Sequence, residues 1–229
     1  MRIIEGDTMS RTPSRHAGPF LLVFALSGLL HCGCAHAPAV MDDTAFRAAD
    51  PHSILILPAV NRSTNVSAAD ILLSALPIPV AERGFYVFPV DLVKRVLEDE
   101  GCADADLVHR ADPSRIGDLF GADAILYVAI EDWAIQNTLT DTRSVVEIDY
   151  VLKDARSGST LWSGHVRKVN SGGGADPLAS AMAAAILRAL PAGLHLLPLA
   201  RQASNEAFGN PGTGLPPGPY HADYPRGRR

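Results

Sequence analysis

Two stretches of this chain are apolar without a break, Ile54 to Leu57, closed by Pro58, and Ala124 to Ile130. Runs that short and that continuous predict strands covered on both faces, hence interior positions in a sheet. After the polar loop Asn61-Arg62-Ser63-Thr64-Asn65, Ser67 stands where an N-cap belongs, and Ile71, Leu72, Ala75 and Leu76 fall at helical spacing. Pro77 and Pro79 interrupt that pattern. Because proline in a helix interior costs about 3 kcal/mol, a kink or two short helices ending at Gly84 are expected. Phe85-Tyr86-Val87-Phe88 predicts a short aromatic strand, and Val93, Val96 and Leu97 predict a helix over Val90 to Glu100. Asp112-Pro113-Ser114 places an N-cap before a proline at the first helical position, opening a helix through Leu119 that stops at Gly121.

In the second half Val146, Ile148, Tyr150 and Leu152 alternate with Glu147, Asp149 and Lys153, a strand with one buried and one wet face. Beyond the turn Arg156-Ser157-Gly158-Ser159, Leu161 to Val169 returns antiparallel, and Trp133 and Trp162 are expected in the core. Asp176-Pro177 opens a last helix, with Leu178, Met182, Ile186 and Leu190 recurring every four residues among alanines. The predicted fold is therefore α/β (α+β): one domain with a mixed sheet of about five strands flanked by helices, a C-terminal antiparallel hairpin and a final helix. Strand order is not set by the pattern.

The amino terminus follows a different logic. Phe20 to Leu30 is an apolar run of eleven residues, half of the roughly 20 needed to cross a bilayer, preceded by Arg11, Arg15 and His16. It closes as Leu29-Leu30-His31-Cys32-Gly33-Cys34, in the manner of a bacterial lipoprotein signal. Cys34 has the small residue Gly33 before it, as lipidation requires, whereas His31 departs from the usual pattern. Cys32 fits worse, because His31 precedes it directly. Residues 1–33 are read as the signal, with Met9 the better start, 34–50 as a tether, 51–200 as the domain and 201–229 as a Pro/Gly-rich disordered tail. Lipid on Cys34 gives stable anchoring without a transmembrane helix, at about 0.8 kcal/mol per buried CH₂. With Ala35 following the cysteine, the expected address is the periplasmic face of the outer membrane.

Charge narrows the partners. The chain carries a net −5. Since residues 1–33 hold net +1 and residues 201–229 net +2, residues 34–200 hold net −8, which argues against a nucleic-acid groove. The tail ends in Arg226, Arg228 and Arg229, for which a solvated end is favoured over contact with anionic lipid. Cys102 stands alone once Cys32 is removed and Cys34 acylated, so no disulfide framework exists, and burial is favoured over reactivity. No nucleophile elbow and no His-Glu-x-x-His occurs. Gly172-Gly173-Gly174 lacks both the P-loop lysine and the dinucleotide spacing and reads as a joint. No catalytic residue, cofactor or metal is expected.

Two places remain for recognition. Asn61, Arg62 and Ser63 follow the carboxyl end of an interior strand, where open α/β sheets place ligand contacts, and Arg62 suits a carboxylate or phosphate. The plainer reading, that Asn61 and Ser63 satisfy turn backbone, is favoured. Glu82 and Arg83 offer a partner contact or a solvated helix end, again with the second favoured.

The blocks Pro58-Ala-Val-Asn61-Arg62-Ser63, Val80-Ala-Glu82-Arg83-Gly84-Phe85-Tyr86-Val87-Phe88-Pro89-Val90, Phe120-Gly-Ala-Asp123-Ala-Ile-Leu126-Tyr127 and Leu161-Trp162-Ser163-Gly164, with Asp154 and Gly158, resemble the lipoprotein family typified by a genome-derived Neisseria antigen. The resemblance covers residues 50 to 200, and the Glu-Arg-Gly-Phe-Tyr-Val-Phe-Pro-Val block is its specific part. It implies a compact α/β domain similar to the amino-terminal domain of the Tol-system propeller protein and to curli-secretion-type lipoproteins. The family has no established enzymatic activity, and the resemblance implies an accessory role in an envelope transport or secretion assembly. Expected partners are membrane lipid, other envelope proteins and a second copy, by strand addition if a hairpin strand lies at an edge. The competing expectation is a periplasmic small-ligand or cell-wall-fragment binder or hydrolase acting through Asn61 to Asn65.

Overall fold

A computed structural model describes residues 42–137, 142–171 and 193–224. In chain order the elements are α1 (Thr44–Ala49), β1 (Ser53–Ile56), β2 (Val60–Asn61), α2 (Ala68–Ala75), α3 (Pro77–Glu82), β3 (Tyr86–Val87), α4 (Val90–Asp99), α5 (Ala105–Arg110), α6 (Pro113–Phe120), β4 (Ala124–Asn137), β5 (Thr142–Asp154), β6 (Thr160–Ser171), a 3₁₀ turn (Leu194–Leu196) and α7 (Leu197–Gly209). They form one mixed α/β domain around a six-stranded sheet of order β3-β1-β4-β5-β6, in which β2 continues the line of β1 and also pairs with β4. Pairing is parallel on the β3, β1 and β2 side and antiparallel from β4 through β6.

The continuous apolar runs are interior strands, as their patterning predicts. Ile54 and Ile56 of β1 face one way and Leu55 and Leu57 the other, and all four are buried. One face carries Leu126, Val128, Ile148, Tyr150, Leu152 and Trp162 beneath Phe46 of α1, Leu72 and Leu76 of α2, Val80 of α3 and Phe208 of α7. The other carries Leu55, Leu57, Ile125 and Tyr127 against Val93 and Leu97 of α4, Val108 of α5 and Ile116 of α6. Those three helices cover β1 and the first half of β4. Beyond them β5 and β6 present Glu147, Asp149, His165 and Arg167 outward, the wet face read from the alternation.

β4 runs well past Ile130, where its continuous apolar stretch ends. The register shifts between Ile130 and Asp132, and Glu131 is the residue with no counterpart on β5. A bulge of one residue reverses the parity of the strand, so Trp133 reaches the same core face as Ile130. Both tryptophans are buried, in keeping with the core reading. The Leu-Trp-Ser-Gly block also has a packing explanation: a Cβ on Gly164 would stand 2.5 Å from the Trp162 ring, which lies along the strand over that position.

Two boundaries and one cap differ from the sequence reading. The stretch assigned to a tether contains α1, because Phe46 is buried and packs edge-on against Phe85, with ring centroids 6.1 Å apart. The stretch assigned to a disordered tail contains most of α7 and then a strap over residues 210–224. Leu215 is fully buried, Thr213 O accepts the Trp162 indole N–H at 3.0 Å, and Leu215 O accepts Arg83 Nε at 2.8 Å. Composition rich in Gly and Pro hid an extended segment held by backbone groups and one apolar anchor. The strap passes so close to Gly84, at φ +85°, that a Cβ there would overlap His221 at 2.2 Å. Finally, Ser67 precedes α2 without a capping bond from its side chain, and its own N–H is taken by Asn65 Oδ1 at 3.0 Å. Asp112, by contrast, caps α6 through Ser114 N–H at 3.0 Å. Cys34, the glycine joint at 172–174 and the helix expected from Asp176 lie outside the described residues.

Candidate functional site

The loop after β2 is knit from its own side chains. Asn61 Oδ1 accepts the Ser63 N–H at 3.0 Å and hydroxyl at 2.7 Å, while Asn61 Nδ2 donates to Asn65 O at 2.8 Å. Asn65 packs in turn against Gly193, whose carbonyl accepts the Trp133 indole N–H at 3.4 Å. Asn61 and Ser63 therefore serve turn backbone, the plainer of the two readings. Arg62 is anchored at both levels: its N–H donates to Ile130 O at 2.9 Å, and its guanidinium pairs with Glu131, the residue extruded by the β4 bulge. The bulge thus supplies the carboxylate that holds Arg62. What the loop offers outward is Arg62 on a fixed mount and Val66, which is 91% exposed.

Glu82 and Arg83 are not part of this loop. Glu82 is exposed at the end of α3, whereas Arg83 donates through Nε and Nη2 to Leu215 O at 2.8 and 2.5 Å. That guanidinium is a clamp on the strap, so Arg83 holds the chain to itself rather than facing a partner. The two sequence-predicted candidates share no bond.

A second cluster lies beside the loop and was not legible in the sequence. His109 of α5 shares a hydrogen bond of 3.0 Å between Nε2 and the carbonyl of Pro58, where β1 ends. Its ring meets Tyr127 edge-on, with centroids 5.2 Å apart, and Lys153 Nζ sits 4.8 Å from the Tyr127 ring centre. Burial pushes the His109 imidazolium down, partly opposed by the bond to Pro58, and raises the Tyr127 phenol. The Tyr127 hydroxyl is buried without a protein partner, a position that one ordered water would satisfy. Four elements bring these groups together, and no spacing within the chain foretells it.

The open face of β5 and β6 is a cross-strand charge ladder. His165 Nδ1 lies 2.6 Å from Asp149 Oδ1, its Nε2 lies 3.6 Å from Glu147, and Arg167 Nε lies 2.9 Å from Glu147. Exposed pairs of this kind contribute at most about 1 kcal/mol each. At the outer edge of β6 a groove of about 150 Å³ is lined by Ser163, Gly164, His165, Glu206, Asn210 and Thr213. Pockets that enclose drug-sized ligands begin at about 300 Å³, so this groove admits a side chain or a few waters. Among the described residues no group of three or more His, Cys, Asp or Glu is placed to hold a metal ion.

The family model described as putative lipoprotein GNA1162-like matches residues 41–193, and the chain belongs to that family. A curated putative lipoprotein of Neisseria meningitidis serogroup B is 32% identical over 140 residues, 61% of this chain. The chain spans 65% of that relative's length. The crystal structure of lipoprotein GNA1162 from Neisseria meningitidis is similar at 27% identity and TM-score 0.52, covering 61% of this chain and 96% of that one. It shares the single mixed α/β domain found here. A more distant likeness, at 13% identity and TM-score 0.45, is to a PelC dodecamer from Paraburkholderia phytofirmans, covering 74% of this chain and 89% of that one.

Proposed function

We propose that this chain, as a member of the GNA1162-like lipoprotein family, is a non-enzymatic docking component of the bacterial envelope. Acyl chains on Cys34 hold it to the periplasmic face of the outer membrane, and its folded domain binds other envelope proteins of a transport or secretion assembly. The observation that carries the reading is the state of the Asn61–Asn65 loop. Its polar groups are committed to one another, and Arg62 is fixed by Glu131, so the loop is a rigid mount rather than a set of groups waiting for a substrate. Binding costs less ordering entropy on such a mount, and an exposed Val66 beside a positioned arginine is the mix of apolar and guanidinium contact that protein interfaces favour.

The test is in-cell photo-crosslinking from position 66, with position 92 on α4 as control, in cells carrying either the native chain or Cys34→Ala. A discrete set of envelope proteins crosslinked from position 66 alone, and lost in Cys34→Ala, is the expected result. Absence of crosslinks, together with a ligand-induced rise in melting temperature abolished by Arg62→Ala, would establish the small-ligand reading instead.

A further inference from the structure

We infer that two copies of this chain join through β6, whose outer edges pair antiparallel about Val166 and place Lys168 of each copy in the groove beside Gly164 of the other. The surface concerned is separate from the docking loop. β6 ends the sheet order, and among the described residues its backbone pairs with β5 alone. Its twelve residues, Thr160 to Ser171, make it about twice the common strand length, and no proline interrupts it. A long strand with a free row of N–H and C=O groups is a template for another strand, and natural edges are blunted where such pairing is harmful. Lys168 is the residue placed to blunt this one. It stands on the α7 side of β6, the side of Trp162 and Val166, with its ammonium on the Glu206 carboxylate.

What an inward charge excludes depends on the residue that faces it. It repels a strand that sets a bulky apolar side chain opposite, but opposite a glycine and beside a carboxylate it has a place to go. Residues directly opposite in an antiparallel pair lie on the same side of the sheet. With Val166 on the two-fold axis, Lys168 faces Gly164 of the second copy, Arg167 faces His165 and Val169 faces Ser163. The Trp162 ring lies over Gly164 and gives the lysine stem an apolar wall. The groove alongside, about 150 Å³ and bounded by Glu206, Ala207 and Asn210, takes one side chain. It lies at the carbonyl end of α7, whose negative potential adds to that of Glu206, so the side chain it suits is an ammonium. Val166 at the axis and Val169, 45% exposed, supply apolar contact. On the other side of the sheet Asp149 holds His165 and Glu147 holds Arg167, so two closed ion pairs meet rather than two bare cations. Shifting the axis by one residue sets Arg167 against Arg167 or His165 against His165 and takes Lys168 off Gly164. The edge is therefore complementary to itself in one register, and the occupant that fits is a second copy of this chain, in an isologous dimer.

The experiment uses the mature chain from position 34 with Cys34→Ala, so that no acyl chain contributes. Sedimentation equilibrium over a concentration series should show a monomer–dimer equilibrium. Lys168→Glu should weaken it about tenfold or more, and adding Glu206→Lys should restore it, with circular dichroism melts reporting that each variant is folded. Ser163→Cys together with Val169→Cys sets two thiols opposite each other across the axis, yet about 20 Å apart within one strand. Oxidation of this double variant should give a disulfide-linked dimer, and neither single variant should, because the introduced thiols of two copies then lie far apart. Should Lys168→Glu fail to fold, the thiol pair decides alone. A monomer at every concentration up to about 1 mM, association unmoved by Lys168→Glu, or a double variant that links no better than the single ones overturns the inference. The same double variant, with Cys34 retained, is then oxidised in cells. Links from the introduced thiols to a different envelope protein, without the dimer, would give the edge to that partner and overturn self-pairing.

Discussion

Leu215→Ala is the sharpest probe of the strap, because it leaves every backbone hydrogen bond in place and removes only the apolar anchor. Leu215 is fully buried and belongs to the larger core cluster, among the side chains that α2, α3 and α7 lay over the sheet. Leucine-to-alanine changes at such sites cost about 2–5 kcal/mol, the larger values where surrounding atoms are unable to close the void. The strap is extended and peripheral, so it collapses more readily than a helix would, and a value near 3 kcal/mol is expected. For a domain of this size each kcal/mol lowers the melting temperature by about 2–4 °C, giving a drop of about 6–12 °C. Circular dichroism melts of the mature Cys34→Ala chain measure it, and limited proteolysis should show new cleavage between residues 210 and 224. If the melting temperature moves by less than about 2 °C and proteolysis is unchanged, Leu215 does not anchor the strap and the reasoning fails.

Gly164→Ala should cost about 1–3 kcal/mol by overpacking, since the new Cβ meets the Trp162 ring at 2.5 Å while that ring is held by Thr213 O and by Phe208. A change in near-ultraviolet circular dichroism from the indole checks it, and an unaltered spectrum counts against the packing account. For His109 the sign is set by burial: its folded-state pKa lies below the unfolded value, so the unfolded chain binds more protons. The corresponding stability is fully present above about pH 6.5 and is lost as pH falls through that value toward the folded pKa. The slope should stay below the roughly 1.4 kcal/mol per pH unit of one whole proton, because the ring is partly solvated. Denaturant titrations from pH 8 to pH 5.5 should show a flatter profile for His109→Gln; identical profiles would remove His109 from the acid response.

What the sequence made legible was governed by local patterning, and what it concealed was governed by tertiary contact. The strands Ile54–Leu57 and Ala124–Ile130, the alternation of β5, the Asp112 cap and the break at Pro77 all follow from spacing that needs no partner element. α1 was hidden because a six-residue helix with one large apolar residue is decided by Phe85, far away in the chain. α5 was hidden in the same way, since only Val108 of its six residues is buried. The strap had the composition of a solvated tail, yet Gly218 there serves close backbone approach to Gly84 and Phe85, and Gly214 close approach to Phe208 and Asn210, rather than freedom. In the candidate site Asn61 and Ser63 do what turn chemistry predicts. The pairing of Arg62 with Glu131 depended on a bulge, and the role of Arg83 depended on the strap, neither of which leaves a mark in periodicity.

The direction of the strands turns these separate features into one arrangement. Asn61 pairs with Ile130, six residues beyond Ala124, which pairs with Ile54 near the start of β1. At about 3.3 Å per residue the loop stands about 20 Å from the end where the strap meets Gly84 and Asp50, and the far end of β4 stands about twice as far. Asp50 at the end of α1 and Tyr224 at the end of the strap are therefore joined at one end, while the rigid loop, the open face of β5 and β6 and the exposed Ile135 and Val169 extend away from it. For the docking role proposed above, this separation keeps the loop clear of the end at which the chain enters the domain, and anchoring through Cys34 would raise the effective concentration at which the loop meets partners on the same membrane.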